Sequence, residues 1–179
     1  MKLEYRKYNS VDIDFEKKFS KYHEMFYDVL SQAYSNYYGR AYHSARIKNG
    51  QAVLFIALHK NIVVGASYVK KNNRRGGTAV LKNFRRNGIA EKLVKFSLTE
   101  FPNQYSILST DLPHSYKMLA LLSKTGFVCV KTIDEVQLIV GKEFHLLKNF
   151  VKTKNRLVFD RVSSTRSIER KKLTLMFHK

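Results

Sequence analysis

Leu3, Tyr5 and Lys7 share one face of the first eight residues, a two-residue period that predicts a strand. Ser10, Asp12 and Asp14 then offer helix-capping side chains. Behind them Phe15, Phe19, Tyr22, Phe26, Val29, Leu30 and Ala33 recur at spacings of 4, 3, 4, 3, 1 and 3. That is one apolar stripe, and it predicts a helix over residues 14–36. Gly39 is expected to close it as a left-handed cap. Dense apolar runs at 52–58 and 61–69, joined by a tight turn at His59, Lys60 and Asn61, predict a hairpin. Residues 72–77 form a second turn cluster, and 78–81 a short third strand. Ile89, Leu93, Val94, Phe96 and Phe101 mark a helix over 88–101, stopped by Pro102. A strand at 106–110 leads to a helix over 115–124, with Ser115 as cap, Met118, Leu119 and Leu122 inward and Gly126 as stop. A strand follows at 127–133. Residues 136–151 read as strand then helix, and 173–177 as a last strand. The order is mixed α/β, with antiparallel hairpins first and a βαβ unit later.

Composition fits that picture. A chain of 179 residues, 44% apolar, suits one domain with a sizeable core. The expected layout is a single domain over 1–179, with a core at 52–133 and a basic extension over 134–179. No apolar run approaches the roughly 18 residues a membrane helix needs, so no membrane partner is expected. The N-terminus is polar and charged and does not resemble a signal peptide. The one cysteine, Cys129, sits in an apolar run and reads as a buried structural thiol. A cytoplasmic location is expected, and no metal site.

Charge changes the picture more. There are 33 Lys and Arg against 14 Asp and Glu, a formal +19. This excess does not bear on fold; it points to anionic partners. Cations recur at Lys70, Lys71, Arg74 and Arg75. Over 142–179 there are eleven Lys and Arg against three acids.

The third strand runs into Phe84, Arg85, Arg86, Asn87, Gly88, Ile89, Ala90 and Glu91, and then into a helix. A helix's first turn has N–H groups without partners and the positive end of the dipole. Gly88 permits close backbone approach, Ala90 is small, and the arginines add charge. The segment therefore reads as an anion cradle.

Residues 52–127 resemble the GNAT N-acetyltransferase superfamily. Its loop is Gln/Arg-x-x-Gly-x-Gly/Ala, which Arg85, Gly88 and Ala90 match; Lys124, Thr125, Gly126 and Phe127 resemble its closing Gly-Phe. The resemblance implies a mixed, mostly antiparallel central sheet flanked by helices, with a V-shaped strand splay for acyl-CoA. It implies acetyl-CoA as cofactor. Backbone at Ala79 and Val80 would pair with the pantetheine arm. Amides from Arg86 to Glu91, together with Arg85, Asn87, Gly88, Ile89 and Ala90, would hold the pyrophosphate, with Ser115 as a further contact. The family is often dimeric, so a homodimer is also implied.

The acceptor side departs from the family. Where many members place a tyrosine acid and an asparagine, this chain has Leu122 and Ser115; a carboxylate position falls on Thr110. Leu122 cannot donate a proton. Asp111, His114, Tyr116 and Ser123 are the candidates for proton handling, with the first three preferred, His114 for its ordinary pKa near neutrality. Tyr34, Tyr37 and Tyr38 end the first helix, which in this family borders the acceptor site, and they are candidate substrate contacts together with the cations Arg74 and Arg75. The expected activity is acyl-CoA-dependent N-acyl transfer to an amine on a nucleic acid: tRNA, aminoacyl-tRNA or a modified DNA base. The alternatives are a small-molecule or protein amine as acceptor, and a catalytically inactive nucleic-acid-binding module.

Overall fold

A computed structural model describes residues 1–34, 39–109, 115–132 and 174–178. The chain divides into two compact units, 1–104 and 105–179.

The first unit is built on an antiparallel sheet in the order β1 (Glu4–Asn9), β2 (Ala52–His59), β3 (Ile62–Lys70), β4 (Arg75–Val80). Helices α1 (Phe15–Ala33) and α2 (Arg40–Gly50) cover one face; α3 (Ile89–Glu100) covers the other. Because β2 and β3 are enclosed on both sides, they are apolar at almost every position rather than alternating. Leu54, Ile56, Ala66 and Ala79 pack with Phe19, Phe26, Leu30 and Ile47 beneath α1 and α2. Phe55, Ala57, Val64 and Val69 pack with Ile89 and Leu93 beneath α3.

The hairpin turn is as the sequence predicts. Lys60 and Asn61 both have positive φ, 49° and 64°, the two-residue turn whose twist suits flanking strands. Three local readings are corrected. Asp14 stands at the start of α1, but it binds Lys18 at 2.7 Å and makes no side-chain cap. Gly39 has φ −84° and begins α2; it does not terminate α1. The helix α2 itself escaped prediction because it buries only His43 and Ile47, so no apolar stripe marks it.

The start of β4 is the fourth correction. The strand begins at Arg75 instead of residue 78. Ser67 pairs with Thr78 and Val69 with Arg75, so Gly76 and Gly77 together face Tyr68 across a bulge. The ring of Tyr68 lies over Gly76, where an added Cβ would come within 2.0 Å of it. A glycine pair that reads as a turn is here the bulge that admits a buried tyrosine.

In the second unit β5 (Tyr105–Ser109) and β6 (Val128–Thr132) flank β7 (Thr174–His178), each antiparallel to it. β5 and β6 therefore run parallel, joined through α4 (Ser115–Lys124), which is the predicted βαβ unit. Gly126, at φ 86°, ends α4, and Phe127 N–H returns to Leu122 C=O at 2.9 Å. Leu122 is fully buried. The readings for 36–38 and 136–151 lie outside the described residues, and the splay implied by the resemblance concerns strands of different units.

Candidate active site

Between β4 and α3 the chain makes one 3-10 turn, Lys82–Phe84. Asn87 Nδ2 donates to the carbonyls of Phe84 and Arg85, both at 3.2 Å, and so cross-braces the loop from inside. Arg86 and Gly88 both sit in the left-handed region, φ 69° and 70°. This alternation turns successive amides toward one side, the geometry of an anion-binding nest. Gly88 caps α3, and Lys92 N–H makes the first helical bond, to Gly88 C=O at 3.0 Å. No side chain caps the helix, which leaves the amides of Ile89 and Ala90 for a ligand. A Cβ at Gly88 would meet open space.

The helix start is held firmly. Ile89 is buried against β3 at Gly65, where an added Cβ would approach Ile89 Cγ2 to 2.8 Å and Leu93 Cδ1 to 3.0 Å. Lys82, Arg85, Arg86 and Lys92 are exposed around the turn. Among the described residues no acid pairs with Lys82, Arg86 or Lys92; the first-turn Glu91 is engaged by Lys95 at 2.8 Å. A cradle of backbone donors, two left-handed residues and surplus cations fits the diphosphate of a coenzyme A.

Two of the residues expected at the cofactor make contacts within the chain. Arg85 Nε donates to Val80 C=O at 3.0 Å, so its side chain folds back onto β4. Ala79 buries its methyl in the α1 core and pairs with Ala66. Leu81 N–H donates to Val64 C=O, and strand alternation then turns Ala79 inward to β3 and Thr78 and Val80 outward. Thr78 is the residue the sequence reading missed. Tyr34 reaches it: the hydroxyl lies 3.4 Å from both Thr78 N and Thr78 O.

Arg75, expected among the substrate contacts, is turned into the interior. It is 4% exposed. Its Nη1 donates to Ser97 Oγ (2.7 Å) and Gln104 Oε1 (2.6 Å), and its Nη2 to Thr78 Oγ1 (2.8 Å) and Ser67 Oγ (3.1 Å). Burial lowers its pKa to about 10, so it stays charged near neutrality. The four neutral acceptors replace water around it and fasten both ends of the β4 bulge to α3. Arg74 is half-buried in the preceding turn, its carbonyl accepting from Lys70 N–H at 2.9 Å.

Beneath Tyr34 lies His43, 2% exposed, its ring 5.6 Å from those of Tyr34 and Tyr42 and 6.5 Å from Tyr68. Burial, helped by Arg46, lowers its pKa to about 4, so it is neutral at pH 7. Burial raises Tyr68 to about 12, against a hydrogen bond with the backbone of Gly77. Ser115 and Tyr116 begin α4. Tyr37, Tyr38, Thr110, Asp111 and His114 lie outside the described residues. Among the described residues no cluster of His, Cys, Asp or Glu could hold a metal ion.

A basic nest at a helix start, fed by a strand with a glycine bulge, defines a site suited to a phosphate-bearing ligand. The model of the Acetyltransferase (GNAT) domain matches residues 12–145, across both units, and the chain belongs to the GNAT acetyltransferase family. Enzymes of this family transfer an acetyl group from acetyl-CoA to an amine. Solved structures agree in fold. Ard1 from Thermoplasma volcanium is 14% identical, with TM-score 0.61 over 100% of this chain and 97% of that one. An aminoglycoside 6′-N-acetyltransferase complexed with coenzyme A is 14% identical, with TM-score 0.59 over 100% and 96%. The ribosomal-protein-S18-alanine N-acetyltransferase from Escherichia coli is 8% identical, with TM-score 0.58 over 98% and 92%. One neighbour, in complex with acetyl coenzyme A, is longer, and this chain spans 61% of it. Comparison with curated proteins finds no match.

Proposed function

We propose that this N-acetyltransferase acts on an amine carried by a nucleic acid, on tRNA, aminoacyl-tRNA or a modified DNA base. The observation that carries the proposal is the charge, +19 on 179 residues. A coenzyme A needs only a few cations for its diphosphate and 3′-phosphate, and most of the excess remains. A cationic small molecule would be repelled by such a surface, whereas a polyanion gains by releasing its counterions. The described acids are largely committed to ion pairs within the chain: Glu4 to Arg6, Glu100 to Lys7, Asp14 to Lys18, and Glu24 and Asp28 to Arg40.

In this proposal the amides of Ile89 and Ala90, with Arg86, hold the diphosphate, and the outward backbone of Val80 and Thr78 aligns the arm. Acetyl-CoA supplies the thioester-activated acetyl group. Leu122, a buried aliphatic core residue, cannot give a proton to the leaving thiolate; proton handling, including removal from the acceptor amine, falls to His114, Tyr116 or Asp111. The location is cytoplasmic; among the described residues no helix is long and apolar enough to cross a membrane.

The test is binding of tRNA and of duplex DNA across a salt series. The proposal expects affinity to fall by about a thousandfold or more between about 50 and about 200 mM salt, as for a protein contacting six or more phosphates. No binding to either polymer at low salt would overturn it.

A further inference from the structure

Among the described residues β4 is the last strand of its sheet, and its outer backbone groups have no ladder partner there. Edge groups of this kind must find side chains, water or a ligand. Along β4 they have found side chains. Thr78 meets Tyr34 at both its N–H and its C=O, and Val80 C=O accepts from Arg85 Nε.

Neither cap is strong. Arg85 is exposed and makes an ordinary bond of 3.0 Å. Tyr34 is half-buried, and its two bonds of 3.4 Å are both long for a hydroxyl. Both lie on the half of β4 that leads to the phosphate loop.

We propose that Tyr34 and Arg85 are place-holders on the outer edge of β4, exchanged for the amide-bearing arm of an acyl-CoA when it docks. This rests on the proposed coenzyme A cradle at α3. An extended arm anchored by its diphosphate at Gly88 would meet Val80 first and Thr78 second, in the order of the strand. Its amides offer the same donors and acceptors that the two side chains supply, so arm and caps compete for the same backbone atoms. The exchange keeps the edge satisfied before docking and shields it from pairing with a foreign strand. The Arg85 guanidinium, once released, lies beside the diphosphate.

Calorimetric titration of wild type and Tyr34→Phe with two probes tests this: coenzyme A, and adenosine 3′,5′-bisphosphate, which has the nucleotide but no arm. The ring stays in place against Gly77, so the variant folds. Exchange predicts that Tyr34→Phe binds coenzyme A about three- to tenfold tighter, the worth of one or two weak hydrogen bonds no longer displaced. The bisphosphate should bind both proteins equally. Coenzyme A binding that is unchanged or weaker in the variant, or equal tightening of both probes, overturns the exchange. If neither probe binds wild type, the cradle itself is wrong. If both bind and only the predicted difference is missing, the cradle stands and the exchange alone fails.

Discussion

Gly88 holds φ 70° with no side chain near it, so the backbone alone sets its identity. Gly88→Asp adds left-handed strain of about 1–2 kcal/mol and sets a carboxylate where the diphosphate belongs. Thermal unfolding should register that modest loss, while titration should find coenzyme A binding abolished; retained binding would remove the cradle from this loop. His43 gives the second prediction at this scale. Its pKa is held near 4 in the folded chain, below the unfolded value of 6.5. The unfolded state therefore takes up a proton first, and the contribution is complete above pH 6.5 and lost as pH falls from 6.5 toward 4. The loss amounts to about 3 kcal/mol in order of magnitude. Urea unfolding at pH 7 and pH 5 should show a drop that His43→Phe, which suits a nest of tyrosine rings, largely removes; an equal drop in the variant would locate the effect elsewhere. The loop could be read from sequence because its glycine, small residue and arginines are local. The roles of Arg75 and Arg85 could not. Burial within a network of Ser67, Thr78, Ser97 and Gln104 depends on residues up to 29 positions away, and an arginine's sequence neighbourhood does not say whether it points out to solvent or back to its own strand.

At the scale of elements, α1, the β2–β3 hairpin, α3 and α4 followed from apolar period and turn chemistry. β4 and α2 did not, because each is decided by tertiary contact: Gly76 by the Tyr68 ring above it, and α2 by just two buried residues. The same kind of contact fixes the cradle. α3 lies on β3 only because Gly65 has no side chain, and Gly65→Ala would press on Ile89 Cγ2 at 2.8 Å and Leu93 Cδ1 at 3.0 Å. The variant should lose about 1–3 kcal/mol by overpacking. It should also weaken coenzyme A binding, since Ile89 is both the buried anchor and a cradle amide. Stability and affinity measured together would test the coupling, and a stability loss with unaltered affinity would contradict it.

For the whole molecule, the donor end of the reaction is fixed by family and fold, and the acceptor end is argued from charge. Excess cations were evident from composition alone. The acceptor was not, because recognition of an amine depends on side chains converging from distant parts of the chain. His114 belongs to this question. If it takes the acceptor's proton, His114→Ala should slow transfer by about a hundredfold or more and erase the limb of the pH–rate profile near neutrality; an unchanged profile would pass the role to Tyr116 or Asp111. The most direct test of the central claim is mass spectrometry of nucleosides, and of the aminoacyl ends of tRNA, after incubating the enzyme with acetyl-CoA and mixed tRNA and DNA. The account predicts an acetyl addition on the nucleic acid that is absent with Gly88→Asp. Acetylation found only on a protein or small-molecule amine in the same mixture would contradict it.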